Sequence, residues 1–466
     1  MRYGCLAACA LLLGALSGCA TYSNSFGAVQ RSLAAQNYDD ALQELEKQAD
    51  TKTDRVLYLL NKGTVLRMKR DFSGSNAALE AAKAEMARLY AVSISENTLS
   101  YIVNDATVSY AGDDYERVLV HLYMALNYLE LGQLAEARVE ALQADISLRE
   151  LAESIPGSKF TEDALTRYLS GMIYEELGEW SDAMIAYRKA YQAYRKYQAN
   201  YATEIPDMLK LDLVRLATRQ GLKKEAEGYR REFGVMSAQE EEGALPEQGG
   251  ELVFVLSNGL APIKREHIVA ASGPQPAVVM GASGDGRRRA AAPVFVNIAL
   301  PYYESRPAEV LKARVSISGK RTDTQLMENI DAIARASLDA RMPAITARSI
   351  ARAVSKVAIQ QSVDRIGRNN DNDLAVELLG SLFVRVAAIA TERADTRSWL
   401  TLPANVQMAR VAVPPGRYTV TVELLGDGER VIAAREYADV VISEQRKTYL
   451  TQHWVPRPVK PEGVRK

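Results

Sequence analysis

Residues able to do chemistry are few in this 466-residue chain, and they are scattered. Its three histidines, His121, His267 and His453, have no metal-ligand spacing between them, and no zinc-hydrolase motif surrounds any of them. His121 sits in a helical pattern at a core position, so its imidazole reads as packed. A serine nucleophile needs a base and a sharp turn to expose it; no Gly-x-Ser-x-Gly elbow is present. Asn369-Asn370-Asp371-Asn372-Asp373 offers oxygens to calcium but lacks the central glycine and distal glutamate of an EF-hand loop, so a solvated turn is expected. Gly281-Ala282-Ser283-Gly284-Asp285-Gly286-Arg287-Arg288-Arg289 can expose backbone amides beside three cations. Arg287, Arg288 and Arg289 thus form a candidate anion-binding loop for a phosphate or lipid headgroup. No Gly-Lys-Ser/Thr follows, and a solvated loop is the competing reading. The expectation is a protein that is not an enzyme and holds no metal or cofactor.

The cysteines have a different use. They are Cys5, Cys9 and Cys19. One cation, Arg2, precedes an uncharged apolar run through Leu13, which is too short for a permanent membrane span, and the run leads to Leu16-Ser17-Gly18-Cys19. Small residues before a cysteine fit a peptidase and leave a thiol for acylation. This stretch resembles the bacterial lipobox, with residues 1–18 as the signal peptide. The resemblance implies diacylglycerol on Cys19, cleavage after Gly18 and a further acyl chain on the new amino terminus. Each buried methylene contributes ~0.8 kcal/mol, and two or more chains give stable anchoring. Ala20, where an aspartate would signal retention, implies the outer membrane by similarity to sorted lipoproteins. The mature chain keeps no cysteine pair for a disulfide and no spare thiol for catalysis.

These features must be positioned by the body of the chain, whose composition changes near residue 237. Residues 19–250 carry 26 Lys/Arg against 36 Asp/Glu, and residues 251–466 carry 30 against 22. Opposite charge favours contact between the halves or with different partners. Neither half has the basic stripe with interleaved aromatics that would indicate nucleic acid. Residues 237–250, rich in Glu, Gly, Gln and Pro, read as a linker.

Residues 19–236 show a helical repeat. Gly171, Tyr174, Gly178, Trp180, Ala183, Tyr187 and Ala190 mark one unit; Ala125, Tyr128, Gly132, Ala137 and Ala144 mark the unit before it. Gly63, Leu66, Phe72, Leu79 and Ala82 give an earlier unit, and Ala217, Gly221 and Ala226 a later, degenerate one. Asn37 to Leu42 supplies the turn and second helix of an atypical first unit. A small residue on one helix admits the larger side chain of its antiparallel partner, and stacked pairs then share a core. These residues resemble the tetratricopeptide repeat, with Leu59, His121 and Arg167 where that repeat carries tryptophan. With Arg70, Gly132, Gly178 and Gly221 as equivalent turns, the separations of 62, 46 and 43 require longer helices or inserted loops. The resemblance implies capture of a peptide, a helix or a neighbouring domain on the concave face. Tyr187, Tyr191, Tyr194, Tyr197 and Tyr201 share one face of a long helix; Tyr187 belongs to the core, whereas Tyr194, Tyr197 and Tyr201 are candidates to bind either another domain or a partner.

Residues 251–466 read as a β-rich domain. Leu252 to Leu256, Ala292 to Leu300, Val310 to Ile317, Val406 to Val413, Arg417 to Leu425 and Val431 to Ile442 read as strands, and Pro414-Pro415-Gly416 as a hairpin turn. Between about 323 and 366 the period becomes helical, with Met342-Pro343 expected to separate two helices. Strand character returns after Asn372; Leu378 to Ala390, interrupted by Arg385, reads as core or sheet. The fold class is α+β multidomain: a tetratricopeptide-like α-solenoid, then an antiparallel sheet or sandwich with a helical insertion. Glu392 to Pro403, with Arg393, Asp395, Arg397 and Trp399, and Pro414-Pro415-Gly416-Arg417 resemble a functionally uncharacterised family of Gram-negative lipoproteins. That resemblance implies an envelope role beside small lipoproteins that activate peptidoglycan synthases. The expected function is a lipid-anchored, periplasm-facing scaffold for an envelope protein. Binding or remodelling of peptidoglycan through the second half, and service in an export or barrel-assembly complex, are the alternatives.

Overall fold

The computed structural model describes residues 22, 26–49, 51–95, 108–154, 160, 162–235, 249–273, 294–306, 308–367 and 393–457. Cys19, Arg287, Arg288 and Arg289, Asn369 to Asp373, Leu378 to Ala390 and most of the linker lie outside them. The described first half pairs its helices into hairpins: α1 (Gly27–Ala34) with α2 (Tyr38–Glu46), α3 (Arg55–Met68) with α4 (Phe72–Ser95), and α5 (Asp114–Glu130) with α6 (Leu134–Ser154). Two more follow, α7 (Ala164–Glu176) with α8 (Trp180–Tyr201) and α9 (Asp207–Arg219) with α10 (Lys223–Phe233).

Each hairpin turns through one left-handed residue: Gln36 (φ 58°), Arg70 (67°), Gly132 (70°), Gly178 (76°) and Gly221 (72°). The amide of the next residue then reaches back over the end of the first helix, Asn37 to Ser32, Asp71 to Leu66, Gln133 to Tyr128, Glu179 to Tyr174 and Leu222 to Ala217, at 2.8–2.9 Å. This recurring C-cap satisfies carbonyls that a helix end leaves free. Gln36 and Arg70 stand 34 positions apart. Later turns are spaced more widely because the second helices grow: α4, α6 and α8 have 24, 21 and 22 residues.

Close helix approach explains the small residues. A Cβ on Gly171 would lie 2.4 Å from the Tyr187 ring, and one on Gly63 2.7 Å from Leu79. Tyr187 is fixed in turn, its hydroxyl donating to Glu175 Oε2 at 2.6 Å. Gly171→Ala is therefore expected to cost ~1–3 kcal/mol through overpacking, although alanine is the better helix former by about 1 kcal/mol. Gly228→Ala on α10, where a Cβ meets nothing within 4 Å, should instead stabilise by ~0.5–1 kcal/mol. Urea unfolding of the two variants checks both signs.

The second half is a two-sheet sandwich. One sheet has the order β10 (Lys447–Trp454), β1 (Gly250–Asn258), β7 (Asn405–Val413), β6 (Gln325–Asn329); β1 is parallel to β10 and antiparallel to β7. The other, antiparallel throughout, has the order β5 (Lys320–Asp323), β4 (Lys312–Ile317), β8 (Gly416–Leu425), β9 (Val431–Ile442). Leu252, Phe254 and Leu256 of β1 meet Val315, Val420, Val422 and Leu424 in the sandwich core. Val253 and Val255, on the opposite face of β1, join the core shared with the helices. Burial on both faces accounts for an unbroken apolar run in place of alternation.

A hairpin of β2 (Ile263–Gly273) and β3 (Val294–Glu304) carries α11 (Ile330–Gly367), with Ala353 and Val354 packed on Val296, Ile298 and Leu300. Here the structure corrects four expectations. Pro414-Pro415-Gly416 closes no hairpin; it carries the chain from β7 in one sheet to β8 in the other. Gly250 begins β1 rather than ending a linker. Residues 325–329 form a strand, so the helix starts at Ile330. And α11 passes through Pro343 unbroken. A proline removes one amide donor from a helix, but Ile333 and Leu338 before it and Ala353 and Val354 after it are held in separate apolar clusters that keep both ends helical.

Candidate functional site

The face made by the first helices of the array, α3, α5, α7 and α9, is occupied by the second half of the same chain. On α3, Asn61 Oδ1 accepts from the Thr401 amide (3.1 Å) and hydroxyl (2.9 Å), and Thr64 accepts from Trp399 Nε1 at 3.0 Å. On α5, Glu116 accepts from the Trp399 amide at 2.7 Å, and Glu130 from the Thr451 amide and hydroxyl at 2.6 Å. Tyr168 on α7 and Asp212 on α9 both hold Arg410 of β7. The irregular tract 393–404 is thus a wedge between the two halves, with Trp399 fully buried against Tyr123.

The charge asymmetry is spent at this contact. Arg410 bonds Glu251 at 2.7 and 3.0 Å and Asp212 at 2.5 Å; Lys264 and Arg341 bond Asp113 at 3.0 and 2.8 Å; Arg397 reaches Asp54 at 3.2 Å. In each of these the cation comes from the second half and at least one carboxylate from the first. Burial opposes ionisation of Asp113, but Arg341 and Lys264 outweigh it and hold its carboxyl below the usual range. Glu116, three residues on, accepts from the Tyr110 hydroxyl at 2.6 Å and the Trp399 amide; burial and the nearby Asp113 push its pKa up, against these bonds and the Lys264 cation.

Tyr194, Tyr197 and Tyr201 are corrected as a surface for an outside partner. All three are at most 2% exposed. Tyr194 donates to the Met327 carbonyl at 3.0 Å, Tyr197 to Glu328 Oε1 at 3.2 Å, and the Tyr201 carbonyl accepts from Asn329, so the ladder is the seat of β6. Of the alternatives open in the sequence, contact with another domain is the one realised. His121 is buried, its Nδ1 2.7 Å from Glu140, and His453 faces the Gly259 carbonyl at 3.1 Å with its pKa lowered to about 4 by burial. His267 packs edge-on against Tyr302 on the β2–β3 hairpin. The three histidines stand apart. Among the described residues no group of three or more His, Cys, Asp or Glu is placed to hold a metal ion, and no helix is long and apolar enough to cross a membrane.

Sequence reasoning missed Arg410, Asp212 and Glu328, and also Asp163, the buried N-cap of α7 that accepts from the Thr166 amide. A signal existed for the first: Val406, Met408 and Arg410 share one face of β7, so a cation recurs in an apolar period.

No family model matches the chain, and no curated protein matches it. Among solved structures, one titled "Functional Characterization of Pseudomonas Aeruginosa pilF" is similar over 48% of this chain and 81% of its own, at 15% identity and a TM-score of 0.29. Two structures of MamA are similar over 45% and 44% of this chain and 91% and 86% of theirs, each at 14% identity and a TM-score of 0.27. The fold of this chain is a tetratricopeptide-like helical region, α1–α10, followed by a β-rich domain with α11 inserted.

Proposed function

We propose that the chain is a non-enzymatic scaffold of the cell envelope, tethered to the outer membrane through lipid on Cys19 and presenting its outer surfaces to a periplasmic protein. The observation that carries this reading is the filling of the array's first-helix face by the chain's own sandwich. That arrangement turns the repeats from an open groove into one side of a solid body. A further contact supports a short tether: Tyr22, three residues after Cys19, holds its ring tilted 6.5 Å from that of Phe26 and accepts from Asn61 Nδ2 at 2.9 Å. Three residues span ~10 Å at most, so acyl chains on Cys19 would hold the α1–α3 end of the body against the membrane.

Cys19→Ala should abolish incorporation of labelled fatty acid and release the protein from membranes; retained label would refute the lipidation. The scaffold reading is tested with photoreactive residues in native cells. Val139, Leu142 and Ile146 form an exposed apolar stripe on α6, 41–51% accessible, whereas Tyr194 is buried. A discrete adduct with an envelope protein from exposed positions, and none from Tyr194, is expected. Adducts with a wall synthase or a barrel protein would separate the two envelope roles. Absence of a discrete adduct from every exposed face, with binding of the purified chain to peptidoglycan, would replace this reading with wall recognition.

A further inference from the structure

A cleft of about 990 Å³ opens between α1 and the end of the sandwich, lined by Gln30 and Gln36 of the helix side, Leu260, Arg306, Ala308 and Glu309, residues 432–434 of β9, and Trp454, Pro456 and Arg457. Its lining has two parts. Leu260, Ala308, Ile432, Ala433, Ala434 and Pro456 are apolar, and Arg306 and Arg457 oppose a single carboxylate, Glu309. The Arg306 guanidinium spends one nitrogen on the Leu400 carbonyl, Nη2 to O at 3.3 Å. Nε and Nη1 are shielded from solvent and have no acceptor among the described residues, and the same holds for Trp454 Nε1. Buried donors without acceptors are rare in native proteins, and a charged one costs more than a neutral one. Burial, with Arg265 nearby, lowers the Arg306 pKa to about 10, so the group is still a cation at neutral pH.

We propose that this cleft binds an amphiphile with a phosphate head, the phosphate accepting from Arg306 Nε and Nη1 and from Trp454 Nε1 while its apolar portion lies on Leu260, Ile432 and Ala433. Arginine suits phosphate through its planar set of fixed donors, and the apolar wall excludes the water that would weaken those bonds. Arg457, exposed at the rim, draws the anion inward. The site also lies at the tethered end. Phe26 accepts from the Gln30 amide and donates to the Tyr22 carbonyl, so the cleft-lining Gln30 is linked to Tyr22 through the backbone of one residue. A membrane phospholipid is thus the nearest source of the head group, an assignment of source that rests on the Cys19 tether; the binding chemistry does not.

The full chain carrying Cys19→Ala, which cannot be acylated at that position, is titrated with dihexanoyl phosphatidic acid, inorganic phosphate and octyl glucoside while tryptophan fluorescence is followed. Saturable binding of the phosphatidic acid is expected, weakened about tenfold by Arg306→Gln through loss of a charged donor. Trp454→Phe, which keeps the ring and lacks the N–H, should weaken it severalfold and covers the case in which the arginine variant does not fold. Tighter binding of the lipid than of phosphate assigns a lipid head group; equal binding assigns free phosphate. Octyl glucoside bound as tightly as the phosphatidic acid, no binding of either phosphate compound, or a folded Arg306→Gln chain with unchanged affinity would overturn the proposal.

Discussion

Arg410→Met is expected to lower the unfolding free energy of the full chain by ~3–5 kcal/mol, the range for removing one member of a buried ion pair. Arg410 stands between three buried groups: Glu251 on the neighbouring strand, Asp212 on α9 and the Tyr168 hydroxyl on α7. Glu251 and Asp212 are 4% and 2% exposed. Asp212 retains Arg215 at 2.8 Å after the substitution, but Glu251 would face no cation among the contacts described. The loss therefore comes chiefly from a stranded carboxylate, since methionine restores much of the packing volume. Adding Glu251→Gln and Asp212→Asn to Arg410→Met should recover most of the stability, because neutral amides need no counter-charge. Urea unfolding of the single and triple variants tests this; a triple variant as unstable as the single one would place the loss in packing instead. Because Arg410 joins the sandwich to two hairpins at once, the single variant should also broaden the transition as the halves uncouple.

This network shows which levels of the structure were readable beforehand. The turns were: Arg70, Gly132, Gly178 and Gly221, aligned from the recurring small and aromatic positions of the units, all adopt the left-handed conformation. Local geometry leaves local marks, because few residue types suit a positive φ. The strand β8 was equally readable from its alternation, but its pairing was not: β7 and β8, expected as one hairpin, lie in different sheets, β7 beside β1 and β6 and β8 beside β4 and β9. Long-range pairing was not. β10 lies beside β1 although nearly two hundred residues separate them in sequence, and nothing in Lys447 to Trp454 specifies a parallel neighbour. The tyrosine ladder illustrates the same limit at the level of function. Its spacing correctly put five rings on one helix face, but spacing cannot say what covers a face, and β6 does. The net charges of the halves carried more information than the ladder, since charge complementarity acts over distance and does not depend on register. Arg410, Lys264, Arg341 and Arg397 realise that attraction at the contact.

Against those paired carboxylates, the seat of β6 holds two without a cation, and this gives the interface an unusual pH response. Asp163 caps α7, its Oδ1 accepting from the Thr166 amide at 2.7 Å, and Glu328 accepts from Tyr197. One oxygen of each, Asp163 Oδ2 and Glu328 Oε2, has no donor, and both residues are fully buried beneath Tyr194, Tyr197 and Tyr201. Burial raises the Asp163 pKa to about 6; burial and then Asp163 raise that of Glu328 well above the usual carboxyl range. A raised carboxyl pKa means that the folded chain keeps a proton the unfolded chain releases, so stability falls as pH rises from the unfolded value toward the folded one. For Asp163 the full effect is on the order of 3 kcal/mol, spread between about pH 4 and pH 6. The opposite response of Asp113 and Glu175 comes lower. Burial opposes their ionisation, but Arg341 and Lys264 on one and Arg215 and Lys447 on the other depress both pKa values, so their stabilisation is complete near pH 5 and lost only in stronger acid. Maximum stability is therefore expected near pH 5, with a decline toward pH 7.5. Glu328→Gln, an amide of similar shape that carries no ionisable proton, should leave stability near pH 4.5 almost unchanged and raise it at pH 7.5 by ~1–3 kcal/mol. Thermal unfolding at the two pH values measures the difference. A variant that declines from pH 4.5 to 7.5 as steeply as the parent would show that Glu328 is ionised in the folded chain and that β6 is held without a protonated carboxyl at that position.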